Sequence, residues 1–393
     1  MSKQLEIPVK PDVLRWARET LGRTAEDVAA RLKIGKEKVL GWEEGRGHPT
    51  LTQLRELAAY LKRPLSAFFL PTAPHEAPLP GAFRRLPDDR REPLTKKTLL
   101  AIRRARRTQD LARELAEAEG TSECSLPAGQ SSLSDDAGEV AKRERYRLGV
   151  DVATQVRWAD TKEAVKNWKL VLESRGLIVL ELNLPLKEAR AFSLMDDLVP
   201  LIVINSRDAA AGQVFSLIHE YGHLLLGRSG IADFIAEDRL TDEGKKAEKF
   251  CNHFAGAFLV PEEDLLGTRT VKVHGSAMDW QASELAELAA LFKVSEYVVV
   301  RRLLMLGRVS QAFYRRQTAK YEAEIMEIQA RKGFGKRVPA KACIRENGVP
   351  YANMVFKAHA DERLTYRDVA DYLYVKPKDL SAVADLLATS TDS

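Results

Sequence analysis

Residues 215–227 read FSLIHEYGHLLLG, and the pentapeptide His219-Glu220-Tyr221-Gly222-His223 at their centre decides how the rest of the chain is read. Side chains four apart on an α-helix share a face, so His219 and His223 can close on one metal ion. Glu220 follows the first of them and can serve as general base on a water at the ion's open position. Val214, Phe215, Leu217 and Ile218 precede the motif, and Leu224, Leu225 and Leu226 follow it. That is more apolar surface than a solvent-facing helix needs, so the pattern predicts a helix at the core of its domain. With 7 histidines in 393 residues, such a pentapeptide arises by chance in roughly one chain in a hundred, and a third ligand is needed as context.

A catalytic zinc takes three protein ligands and keeps a fourth position for water. Downstream, residues 248–261 read EKFCNHFAGAFLVP. Phe250, Phe254, Ala257 and Phe258 recur at three-to-four spacing and Pro261 ends the run, which predicts a second helix. Glu248 stands one turn before Asn252 on the same face. Residues 228–244 read as a loop that turns the second helix back on the first. Taken alone, Glu248 reads as an ordinary solvated glutamate.

On these residues the chain resembles the ImmA/IrrE family of zinc metallopeptidases, which stand with the gluzincins. Members show H-E-x-G-H on one helix and E-x-x-A-N-x-F-A, ending in Leu/Met-Pro, on the next. Here the second pattern is Glu248, Asn252, Phe254, Ala255 and Pro261, with Cys251 where Ala is usual and Val260 where Met is common. The resemblance covers residues 97–314. It implies Zn2+ held by His219, His223 and Glu248, with Glu220 as the base. It further implies a repressor or antitoxin protein as substrate, cut to switch on a stress-response, phage-defence or mobile-element operon. A second expectation stays open: a DNA-binding transcription regulator whose peptidase-like domain only senses or binds a partner. A closed structural zinc site is disfavoured, because Glu220 would have no role in it.

The N-terminal 70 residues read as a bundle of short helices. Pro11 and Asp12 open the first. Thr24 caps the second with Asp27 at the capping-box position, and Gly35 makes the turn into a third at residues 36–44. Thr50 with Gln53 caps a fourth, and residues 65–70 give a fifth. Such a series reads as a helix-turn-helix. It resembles the Xre/lambda-repressor-like family through Trp42-Glu43, Gly45 and Pro49-Thr50. Lys36, Glu37, Lys38 and Gly41 would then form the outer face of the recognition helix, with the first three as candidate DNA contacts. Ala25 and Lys36-Glu37 depart from the Gln and small polar residues usual at their positions. Residues 5–70 carry 12 Lys/Arg against 9 Asp/Glu, so the expected DNA affinity is weak and electrostatic rather than read from base edges.

Composition bounds the remainder. A chain 45% hydrophobic and 30% charged fits a globular protein, and no apolar run approaches a membrane span. A net charge of +5 does not by itself argue for nucleic acid. Three widely spaced cysteines and no signal-peptide pattern fit a cytoplasmic protein without disulfides.

Prolines 71, 74, 78, 80, 87 and 93 mark a linker. A long helix follows over residues 95–120. Its Arg103, Arg104, Arg106 and Arg107 read first as a solvated face, and alternatively as a phosphate contact. Residues 121–138 read as a mobile Ser/Gly/Asp-rich stretch. Strands are predicted over 177–182 and 200–204 with residues 191–195 between them.

The expected architecture is α+β. An all-α helix-turn-helix domain (1–72) and a Pro-rich linker (73–95) precede a mostly helical zinc-peptidase domain with a small sheet (96–315). A helical C-terminal segment (316–393), a candidate sensor or docking module, closes the chain. Homodimerisation is compatible with this plan. Tyr314 is a candidate oxyanion donor. A peptidase that cuts repressors needs restraint, and a thiol can occupy zinc's fourth position. Cys124 and Cys343 are the candidate plugs, and Cys251 is expected to pack inward.

Overall fold

The computed structural model describes residues 5–74, 94–121, 129–228, 231–232, 242–331 and 338–391. Most of the expected linker, and Cys124, lie outside them. The chain forms two compact units.

The first unit contains α1 (Pro11–Glu19), α2 (Ala25–Leu32), α3 (Lys36–Glu43), α4 (Leu51–Leu61) and a 3-10 turn at Leu65–Phe69. Pro11 starts α1 because its missing N–H falls where a helix has no intrahelical acceptor. Thr24 with Asp27, and Thr50 with Gln53, form complete capping boxes. Lys33, in the left-handed conformation at φ 55°, ends α2 and turns the chain towards α3. Leu14, Val28, Trp42, Leu54 and Leu61 fill the core. Arg18 and Glu43 join α1 to α3 by two charge-assisted hydrogen bonds of 2.6 and 2.8 Å. Gly41 is buried rather than outward-facing, because Arg46 folds back to donate its N–H to the Gly41 carbonyl at 2.7 Å.

Next comes α5 (Lys96–Ala118). The two units divide inside it, after Arg103. The physical reason is Arg103, which donates to the Leu61 and Lys62 carbonyls at the end of α4.

The second unit opens with α6 (Ala137–Leu148), α7 (Val152–Arg157) and α8 (Thr161–Glu173). Four strands follow around the helix that carries the histidines: β1 (Ile178–Leu182), β2 (Ala191–Leu194), β3 (Leu201–Asn205), α9 (Ala210–Leu225) and the short β4 (Ile231–Ala232). The sheet order is β1-β3-β2-β4, with β1 parallel to β3 and the other pairs antiparallel. All of β3 and all of β2 are buried. α9 packs on β2 and β3, and α10 (Asp242–Leu259) packs on α9 and α6. α10 thus begins inside the stretch expected to be loop. Short helices α11 (Glu262–Gly267) and α12 (Arg269–His274) lead to α13 (Ala282–Phe292), α14 (Glu296–Met305) and α15 (Gln311–Arg331). α15 runs through residues 315/316 without a break.

The C-terminal segment consists of α16 (Pro339–Asn347), α17 (Val349–Ala360), α18 (Tyr366–Tyr372) and α19 (Leu380–Thr391). It repeats the grammar of the first unit. Thr365 and Asp368 form a capping box, Val369, Ala370 and Leu373 face inward, and Tyr374 ends α18 at φ 55°. These residues match Thr24, Asp27, Val28, Ala29, Leu32 and the left-handed Lys33 one for one. Arg104 bonds Asn347 at 3.0 Å, pairs with Glu346 and stacks over Tyr374, while Arg107 stacks over Tyr372. Arg104 therefore ties α5 to the C-terminal helices instead of standing on a solvated face, while Arg107 stays exposed over Tyr372.

Candidate metal centre

The start of α9 is fixed before the motif begins. Asn205, at the end of β3, bonds the Leu184 and Ala189 carbonyls, and Gln213 bonds the Asn205 and Asp208 carbonyls. Asp208 pairs with Arg190 at 3.1 Å. From residue 213 to 225 every side chain of α9 is buried. At the far end, Gly129 and Ser131 donate their N–H groups to the Leu224 and Leu225 carbonyls at 3.0 Å. That part of the stretch expected to be mobile is therefore pinned to the helix.

α10 is held as firmly. Arg145 and Gln155 bond the Phe258 and Leu259 carbonyls, and Arg302 bonds Val260. These side chains satisfy the orphan carbonyls of a buried helix end. Gly222 sets the approach of the two helices. A Cβ there would lie 3.0 Å from the Phe254 ring and 3.4 Å from the Cys251 Cα, so glycine lets α10 come close enough to deliver Glu248.

Three donor atoms converge where the helices meet. The Nε2 atoms of His219 and His223 are 3.1 Å apart, and each is 3.1 Å from one oxygen of Glu248. Tetrahedral coordination at bond lengths of about 2.1 Å spaces ligands about 3.4 Å apart, so the set is close to that geometry. Two imidazoles and one carboxylate are also the donor chemistry that suits zinc. All three residues are buried. Burial by itself would raise the Glu248 pKa, but the two imidazoles overcome it and hold the carboxyl well below the usual range. Burial opposes charge on His223, yet its pKa is raised well above the usual range. The neighbours that favour its charge are Cys251, Glu248 and Glu220. Burial in turn pushes the Cys251 thiol up.

Glu220 lies beside the cluster with no exposed surface, and Ser193 of β2 donates to its Oε2 at 2.7 Å. Tyr221 turns away and donates to buried Glu144 at 2.9 Å. The His219 Nδ1 has no partner among the described residues. Sequence reasoning missed both Ser193 and the contact of Cys251 with His223. A lone hydroxyl in the strand AFSL was the available signal for the first, and Cys in place of Ala for the second.

The other predicted residues have these surroundings, with Cys124 outside the described residues. Tyr314 shares a 3.1 Å hydrogen bond with Tyr297 between α14 and α15. Cys343 is buried in α16, where its thiol donates to the Leu373 carbonyl at 3.6 Å, so it is engaged within the C-terminal helices rather than poised as a plug. Glu37 and Lys38 are exposed at the start of α3, and Lys36 beside them forms an ion pair with Glu26 of α2. No described helix is long and apolar enough to cross a membrane.

Comparison with known families agrees with this geometry. Residues 172–304 match the peptidase-family model described as the IrrE N-terminal-like domain, and residues 14–68 match a helix-turn-helix model. The first match contains β1 to β3, α9 and α10 with all three donors. The chain thus carries a helix-turn-helix domain followed by an IrrE-like peptidase domain. No curated protein matches the chain.

Proposed function

We propose that the chain is a zinc endopeptidase that cleaves a repressor or antitoxin protein and so derepresses a stress-response, phage-defence or mobile-element operon. The observation that carries this reading is the buried convergence of His219, His223 and Glu248 with a fourth polar residue, Glu220, alongside. A buried carboxylate that is not itself needed as a ligand suits a site with chemistry to perform. Bound zinc would supply a Lewis acid that acidifies water and polarises a carbonyl.

The chain's own residues do the rest. His219, His223 and Glu248 hold the ion between α9, fixed at both ends, and α10, fixed at its C-terminal end. Glu220 takes the proton of the attacking water on its Oε1 and can pass it to the leaving amine. β2 lies next to this carboxylate and supports it from the sheet. The helix-turn-helix unit adds weak, salt-sensitive attraction to DNA, because Lys36 is partly neutralised by Glu26 and no Arg, Asn or Gln stands at the start of α3 to read bases.

Coexpression with the repressor of the neighbouring operon tests the reading. The wild type should yield a defined fragment and Glu220→Gln should leave the repressor intact. An intact repressor with both proteins would favour a regulator whose peptidase-like domain senses a partner.

A further inference from the structure

β2 holds one polar side chain, Ser193, among Ala191, Phe192 and Leu194, and all four are buried. Serine suits a packed strand poorly, and a buried hydroxyl must find a partner. Ser193 spends its proton on Glu220 Oε2 at 2.7 Å, across a contact in which neither residue is exposed. Side chains alternate along a strand, so Ser193 shares a face with Ala191. Ala191 packs in the same apolar cluster as Ile218 and Tyr221, which places that face against α9. The strand cannot drift, because every residue of β2 pairs with β3, Ser193 opposite Ile202.

From this geometry we propose that Ser193 is the positioning residue for the general base, a role that rests on the peptidase reading above. A glutamate has three rotatable bonds, and a base must stand within about 3 Å of the proton it takes. The hydroxyl fixes Oε2 from a rigid strand and so selects the rotamer that turns Oε1 to the water before substrate arrives. Ser193 acts through Glu220, and its own proton stays in place through the cycle.

The test uses the full chain as wild type, Ser193→Ala, Ser193→Thr, Glu220→Gln and the Ser193→Ala/Glu220→Gln double variant. Cleavage of the coexpressed repressor is measured with the purified proteins, together with zinc per chain and denaturant unfolding of the metal-free forms. Ser193→Ala should lower kcat about 10- to 100-fold, leave KM unchanged and keep one zinc per chain. Ser193→Thr, which returns the hydroxyl on a side chain that suits strands, should recover most of kcat. The unfolding constants should show coupling, with Ser193→Ala mattering about fivefold less in the Glu220→Gln background. Unchanged kcat in Ser193→Ala, or zinc lost in parallel with kcat, overturns the proposal. Coupling without a kcat effect also overturns it, since the bond is then structural only. Failure of the peptidase reading looks different: wild type and Glu220→Gln are equally inert, and the positioning role falls with it.

Discussion

Glu248 and Glu173 are carboxylates of the same unit, 7% and 4% exposed; burial pushes both pKa values up, yet they end in opposite directions. Glu248 meets two imidazoles at 3.1 Å and is held ionised. Glu173, at the end of α8, has Lys169 no nearer than 3.9 Å and is covered by Gly348, whose Cα leaves no room for a side chain against it. Burial pushes its pKa up to about 7. A buried acid is costly unless partnered. Where two imidazoles of the facing helix converge on it, the cost is met by a site built to hold a charge. Where they do not, the acid takes up a proton and weakens the fold as pH rises.

The largest effect should come from the residue that the centre surrounds but does not need as a ligand. Glu220→Gln should keep its metal and lose about a thousandfold in cleavage rate, about 4 kcal/mol of barrier, read by initial rates on the repressor. Next comes a matched pair of isosteric changes with opposite signs. Glu248→Gln removes the charge that faces both imidazoles and should destabilise the metal-free protein by about 3 kcal/mol at pH 7 in denaturant titrations. Glu173→Gln should stabilise it by up to about 3 kcal/mol at pH 8, from a shift between 4.5 and about 7 at 1.36 kcal/mol per pH unit. The folded protein keeps the Glu173 proton to pH of about 7, whereas the unfolded chain releases it near 4.5, so stability is lost across that window. The gain from Glu173→Gln should therefore vanish below about pH 4.5; the same sign for both variants would break the comparison. A smaller effect, about 1–3 kcal/mol, is expected from Gly222→Ala in thermal unfolding, because the added methyl presses on Phe254 and on the α10 backbone.

The metal helix was legible because its information is local. Apolar flanks, the four-residue spacing of the histidines and the glycine between them lie within 13 residues. Glu248 needed the resemblance, since nothing in one helix says which glutamate of the next will face it. Ser193 was hidden by distance in sequence, 27 residues from Glu220, and by a strand that gives no helical period to read. Arg104 of α5 defeated the reading for the same reason, as it meets its partner Asn347 243 residues later. The repeat of Thr24, Asp27, Val28, Ala29 and Leu32 at residues 365–373 was in plain view and needed only a comparison of the chain with itself. Helices α7, α11 and α12, of six residues each, were too short to show a period.

The central claim is that two imidazoles and a carboxylate at 3.1 Å spacing exist to hold an ion. Elemental analysis of purified wild type, His219→Ala and Glu220→Gln tests it most directly. The account predicts about one zinc per chain in the wild type and in Glu220→Gln, and none retained by His219→Ala after dialysis against a weak chelator. Full zinc occupancy in His219→Ala, or a wild type that binds no metal when zinc is supplied, would contradict it.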